Sequence, residues 1–243
     1  MENNNPNYVY NNVIQLDDNE SASRKFIANV FMWMFVALGV SSLCAYLFAA
    51  DPSLRELLFN PTTGPTGLAY IAMFAPLAFV LLIRFGLNRI SYGGLAILFV
   101  IYAALTGISL SFILLAYTTA SVLGVFIAAS AMFGVMAVVG YTTHTDLTKF
   151  GSILIMFLIG IVIASVINMF LRNSGLDMLI SYIGVAVFVG LTAYDVQKLK
   201  NIGAGLEYGD ASTKKYALMG GLTLYLDFIN LFIMLLRVFG RRR

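Results

Sequence analysis

Leu224–Phe232 reads LYLDFINLF, a continuous apolar run with one carboxylate, Asp227, near its middle. Upstream, Leu191–Lys200 reads LTAYDVQKLK, where a second carboxylate, Asp195, closes another hydrophobic segment. A carboxylate at the centre of a lipid-embedded helix costs roughly 2.5–3.5 kcal/mol, and it persists where it faces protein interior, a partner or water. Whether these runs are membrane spans therefore decides both the fold and the place to look for function.

Composition says that they are. Of 243 residues, 60% are hydrophobic and only 11% are charged, with mean hydropathy +0.86. A soluble domain carries roughly 25% charged residues. About 20 mainly apolar residues make a spanning helix, and seven runs qualify: Phe26–Ala50, Gly67–Leu87, Tyr92–Tyr117, Ala120–Tyr141, Phe150–Leu171, Asp177–Val196 and Tyr216–Phe239. The runs are continuous rather than alternating, which disfavours a lipid-facing β-barrel. The expected fold is all-α, a polytopic membrane protein with seven transmembrane helices over residues 24–243. Residues 1–23 are polar and Asn-rich, and read as a disordered tail. The first span has no convincing cleavage site after it and is expected to act as an uncleaved anchor. No internal repeat supports an inverted-repeat transporter.

Small residues suited to close helix packing recur at Gly134, Gly140, Gly151, Gly160, Gly184 and Gly190. Pro76, in FAPLAF, is expected to kink the second span. Cys44 is the single cysteine, which excludes an intrachain disulfide and a cysteine-cluster metal site; a buried spectator is expected. The net charge of +3 is too small and too scattered to imply nucleic-acid binding.

Orientation follows from Lys and Arg in short loops. Arg24 and Lys25, Arg84 and Arg89, Lys149, and Lys198, Lys200, Lys214 and Lys215 fall on one side; the other holds Arg55 and Arg172, balanced by Asp51, Glu56 and Asp177. The N-terminus is therefore expected in the cytoplasm; the charges do not separate a cell's inner (plasma) membrane, the expected placement, from that of an organelle. Seven spans then place the C-terminus outside, although it ends RVFGRRR. Either those arginines are an exception or the last segment is re-entrant.

On the seventh span Gly220, Thr223, Asp227, Asn230, Met234 and Arg237 follow spacings of three and four, so they share one polar face, expected to point into the bundle. Gly184, Phe188, Thr192, Asp195 and Lys198 form a similar stripe on the sixth. If the sixth helix continues toward Asn201, Asp195 lies roughly 10 Å from its end, and Asp227 roughly 16 Å into the antiparallel seventh. The two carboxylates can then sit near one level, with Lys198 and Lys200 snorkelling to the interface. Two close carboxylates in a low dielectric do not both ionise cheaply, so the pair shares a proton. Protonated, it is a hydrogen bond tying the helices together. Ionised, it repels itself and offers oxygens to a hard cation such as calcium, which makes Asp195 and Asp227 candidate metal ligands. A pH-responsive latch in a cation pathway follows; the plain alternative is a structural helix–helix contact.

The same residues resemble the end of the Bax inhibitor-1 family (transmembrane Bax-inhibitor-motif proteins), particularly its bacterial members. LYLDFINLFIMLLRVFG continues the resemblance to Gly240, and LTGISLSFIL (Leu105–Leu114) and GYTTHTDLTKFG (Gly140–Gly151) agree with it, so it covers about Arg24 to Gly240. The resemblance implies a seven-helix fold with the seventh helix central, and a pH-sensitive calcium leak with calcium as the permeant ion. It implies that Asp195 and Asp227 are the family's paired aspartates. In a bacterial member an arginine at the cytoplasmic end of the second helix meets this pair; its counterpart here is Arg84 or Arg89, with Arg89 preferred from its distance to the third-span motif. Asn230, Thr192 and Thr223 are further candidates for the latch or pathway. Other bacterial relatives modulate a membrane-bound AAA protease, which makes such a protease, beside the lipid bilayer and calcium ions, a candidate partner.

Other polar groups read more plainly. His144 and Asp146 are too few for a metal site, and Asp146 suits the cap of the fifth span. Asn168 and Asn230 can hydrogen-bond across helices. Glu207 and Asp210 read as solvated loop charges. An intramembrane aspartyl protease would also use two aspartates on adjacent helices. That family's second aspartate lies in Gly-x-Gly-Asp, whereas here it is Leu-Tyr-Leu-Asp, and its Pro-Ala-Leu motif is missing. No cofactor and no enzymatic activity are expected.

Overall fold

The computed structural model describes residues 6–60, 62, 64–86, 89–205 and 211–243, with side chains described for these except 6–21, 77, 84–86 and 211. The chain forms α1 (Pro6–Ala50), α2 (Pro52–Leu58), a small hairpin of β1 (Phe59–Asn60) and β2 (Gly64–Pro65), then α3 (Gly67–Gly86), α4 (Tyr92–Ala116), α5 (Thr119–Thr142), α6 (Thr148–Leu171), α7 (Ser174–Ala204) and α8 (Ala211–Phe239). Helix α1 begins within the polar segment expected to be a tail, and its spanning part runs from Ala22.

Local chemistry sets the boundaries. Side chains of Ser91, Thr118 and Asn173 accept hydrogen bonds from backbone N–H groups in the first turns of α4, α5 and α7. Helix α6 stops where Arg172 turns left-handed at φ 51°. Asn168 does not cross to another helix: its Oδ1 accepts the Asn173 N–H at 3.0 Å and closes the end of α6. Asp146 accepts the Thr148 N–H at 2.9 Å just before α6 but is not its cap: Leu147 holds that position, with no side-chain cap bond.

Among the described residues six helices are long and apolar enough to cross a membrane: α1, α4, α5, α6, α7 and α8. The remaining expected span is the apolar helix α3, whose Gly67–Ile83 part is shorter and carries Pro76 inside it. That part is roughly 26 Å long, at the short end of what crosses a hydrocarbon core of about 30 Å. Large apolar side chains face outward, Met156 and Phe170 being 70% and 76% exposed. Facing lipid, these surfaces need no protein cover.

Helix α8 is the centre of the bundle. In its spanning window 61% of residues are buried, against 11% for α6, and α1, α4, α5 and α7 pack around it. Leu218, Leu222, Leu224, Tyr225 and Leu231 are fully buried. Tyr225 is tied across the core: its hydroxyl shares a 2.7 Å hydrogen bond with Ser41 on α1, and Ser41 Oγ lies 2.7 Å from the Ala103 carbonyl of α4. Helix α6 is peripheral and packs on α7, and α3 packs on α4. Of the glycines expected to mediate packing, Gly140 and Gly151 do so against α7, where an added Cβ would strike the Ala193 backbone and the Tyr194 ring. Gly134 and Gly160 instead face open space.

Helix α8 is unbroken from Ala211 to Phe239, long and apolar enough to cross in one pass and without the break of a re-entrant segment. Beyond it, Thr118 N–H donates to the Arg241 carbonyl and Arg243 N–H to the Ala116 carbonyl, both at 3.0 Å. The C-terminus therefore sits on the side of the α4–α5 connection. Arg237 is offset by Asp177 at the start of α7, 3.2 Å away.

Candidate functional site

Helix α7 runs past Lys198 to Ala204, as the pairing of the two aspartates requires. Asp195 lies roughly 14 Å before the end of α7 and Asp227 roughly 24 Å into α8. Both helices extend beyond the expected boundaries, and the two aspartates remain opposite each other. Asp195 faces Asp227 across the α7–α8 seam, close enough for the two carboxyl groups to share a proton.

The pair lines a cavity of about 460 Å³ between α7 and α8, with Ile155 and Leu158 of α6 contributing apolar wall. Asp227 is buried, 6% exposed, and among the described residues its Oδ2 has no hydrogen-bond partner. An orphaned carboxylate oxygen in the interior is costly. Here it borders a space large enough for water or an ion.

Two further candidates line the same cavity. Thr223 Oγ1 donates to the Met219 carbonyl at 3.1 Å, and Asn230 Nδ2 donates to the Leu226 carbonyl at 2.9 Å. Asn230 thus bonds within its own helix, not across to another. Thr192 is fully buried, donates to the Phe188 carbonyl at 2.8 Å and does not line the cavity. Arg89 is exposed in the α3–α4 connection and is not among the residues that line the cavity. The Arg84 side chain, and Glu207 and Asp210, lie outside the described residues. His144 is exposed, and no cluster of three or more His, Cys, Asp or Glu occurs among the described residues. Cys44 is half-buried.

Among the described residues, one cation lines the cavity. Lys198 lines it, with Nζ 5.8 Å from the centre of the Tyr194 ring, which also lines it. Lys200 Nζ donates to the Tyr141 carbonyl, near the end of α5, at 2.8 Å and stands over the Tyr141 ring. Sequence reasoning also passed over Gln197, two residues after Asp195. Its Oε1 accepts the Leu147 N–H and its Nε2 donates to the Thr145 carbonyl, both at 2.8 Å. Gln197 thereby clips the α5–α6 connection onto the turn of α7 that carries Asp195. An uncharged amide ending an apolar run beside a carboxylate was the available signal.

Residues 23–243 match the model of a protein family described as inhibitor of apoptosis-promoting Bax1. The chain belongs to the Bax inhibitor-1 family. It is 47% identical to the Escherichia coli inner membrane protein YbhL over 219 residues, covering 90% of this chain and 92% of that one. An uncharacterised protein of Borreliella burgdorferi is 43% identical over 227 residues, 90% of this chain and 93% of that one. An uncharacterised membrane protein of Streptococcus pyogenes is 35% identical over 219 residues, 89% and 93% of the two chains. This Bax inhibitor-1 member is thus matched across its whole bundle, with only the polar N-terminal segment outside the family model.

Proposed function

We propose that this multi-pass membrane protein is a pH-sensitive calcium leak whose conductance is set by the proton shared between Asp195 and Asp227. The observation that carries the reading is the meeting of two carboxyl groups in an interior cavity, one oxygen of Asp227 being without a partner among the described residues. With the proton in place, the pair ties α7 to α8. When it leaves, two negative charges repel across the seam and the freed oxygens face the cavity. Calcium prefers 6–8 oxygen ligands. Two carboxylates with Thr223 and Asn230 beside them reach the lower end of that range only if both carboxylates bind through both oxygens, which suits an ion in passage better than a resident one.

Placement in an inner membrane with the N-terminus in the cytoplasm belongs to the same proposal, supported by the name of the E. coli relative and by the loop charges. The protein is proposed to catalyse no reaction. The test is calcium entry into liposomes loaded with a trapped calcium dye, measured across pH for the wild type, Asp195→Asn and Asp227→Asn. A flux that is absent, or unchanged in level and pH dependence in both variants, rejects the leak and leaves the protein as an interaction partner, for instance of a membrane-bound AAA protease.

A further inference from the structure

On the opposite side of the bundle from the aspartates, α4 and α5 leave an apolar groove of about 320 Å³. Ser42 and Ala45 of α1 and Phe228 and Phe232 of α8 lie along it, and Ile113 and Val122 flank it. It reaches the end of the bundle at Thr119, the first residue of α5. There the C-terminus closes over the rim. Arg243 Nη2 lies 3.3 Å from Thr119 Oγ1, and the Arg241 N–H donates to Ser121 Oγ at 3.1 Å. The Arg242 guanidinium stands 5.9 Å from the centre of the Tyr117 ring. Arg241, Arg242 and Arg243 are exposed, and among the described residues no carboxylate pairs with them; the nearby Asp177 is taken by Arg237.

Three unneutralised arginines are thus held by backbone bonds at the mouth of an apolar groove, at the depth where a helix leaves the hydrocarbon. We infer that this groove and the Arg241–Arg243 rim form a site for an anionic phospholipid, with an acyl chain between α4 and α5 and the phosphate against the guanidinium groups. Guanidinium is the side chain best matched to phosphate, through paired N–H donors. The charges of the final tripeptide, which run against the loop-charge pattern of the chain, then have a counter-charge in the bilayer itself.

Native mass spectrometry of the full chain, released from nanodiscs holding equal amounts of phosphatidylglycerol and phosphatidylcholine with the same acyl chains, tests this. A basic residue near an anionic lipid surface contributes about 1 kcal/mol, which is about fivefold in affinity. The first retained lipid should therefore favour phosphatidylglycerol by about tenfold or more. R241Q/R242Q/R243Q, which alters only exposed side chains, should reduce that preference to within about twofold. Ser42→Trp should fill the groove and remove the retained phosphatidylglycerol while the arginines remain; Leu123→Trp, at an exposed position on the same groove, serves if the first variant fails to fold. Equal retention of the two lipids by the wild type overturns the site, as does a preference that survives the triple variant. A preference that survives a folded groove-filling variant overturns it too, since the arginines would then act without the groove.

Discussion

Gln197→Ala isolates the clip that holds the Asp195 turn against the α5–α6 connection. The truncation removes two 2.8 Å hydrogen bonds, one accepted from Leu147 and one donated to Thr145. A typical bond contributes about 0.5–1.5 kcal/mol net, and a backbone group left buried without a partner costs about 1–3 kcal/mol. Gln197 is buried and the two backbone groups are partly so, so the expected loss is about 1–3 kcal/mol. Equilibrium unfolding in mixed micelles with increasing dodecyl sulfate, followed by circular dichroism, reads this directly. Gln197→Glu adds a sharper arm. An ionised carboxylate still accepts from Leu147 but has no hydrogen to give Thr145, and it sets an anion against a carbonyl oxygen; the protonated acid restores the donor. Measured against the wild type at each pH, the Glu variant should be near parity in acid and fall behind as pH rises. An Ala variant within about 0.5 kcal/mol of the wild type, the ordinary range for an uninvolved position, would refute the clip. So would a Glu deficit that ignores pH.

Packing and hydrogen bonding give three more expectations in the same unfolding assay. Gly140→Val should cost about 1–3 kcal/mol, because its Cβ meets the Ala193 backbone, whereas Gly160→Ala, in open space, should be neutral or slightly stabilising. Tyr225→Phe should cost only about 1 kcal/mol, since Ser41 keeps Ala103 as a partner; Ser41→Ala should cost more, because it strands the buried Tyr225 hydroxyl. Equal losses for those two would contradict the buried chain of bonds. At the start of α6, the bonds from Thr148 hold the Asp146 carboxyl below its usual range. That contribution is present above the ordinary carboxylate pKa and is lost as pH falls through the lowered one, so Asp146→Ala should remove a small acid-side decline in the thermal midpoint.

How far these features could be read in advance depended on whether local pattern or long-range packing decides them. Long apolar runs marked the spans, because a chain in lipid has to satisfy its backbone within helices. The polar stripe on α8 was legible for the same reason, and it does face α7: Gly184 packs at Met234, Asp227 meets Asp195, and Arg237 reaches Asp177. Helices that are apolar on every side carry no such stripe. Nothing local showed that α6 would rest on α7 at the rim of the bundle, or that Gly160 would face outward while Gly151 met Tyr194. Loop length does not reveal which neighbour α3 chooses, and that neighbour is α4. Gln197 escaped notice because its partners lie about 50 residues earlier in the chain. No loop-charge count could show that the C-terminal arginines would be held at the α4–α5 connection, by bonds to Ala116 and from Thr118.

The most direct measurement is calcium flux into dye-loaded liposomes across pH, with Asp195→Asn and Asp227→Asn beside the wild type. Asparagine keeps the shape of the acid and a donor for the seam but cannot lose a proton there. The expected result is a wild-type flux that changes with pH and, in each variant, an altered flux held at one level across the range. A wild-type pH profile reproduced by both variants would contradict the shared proton as the control of the leak.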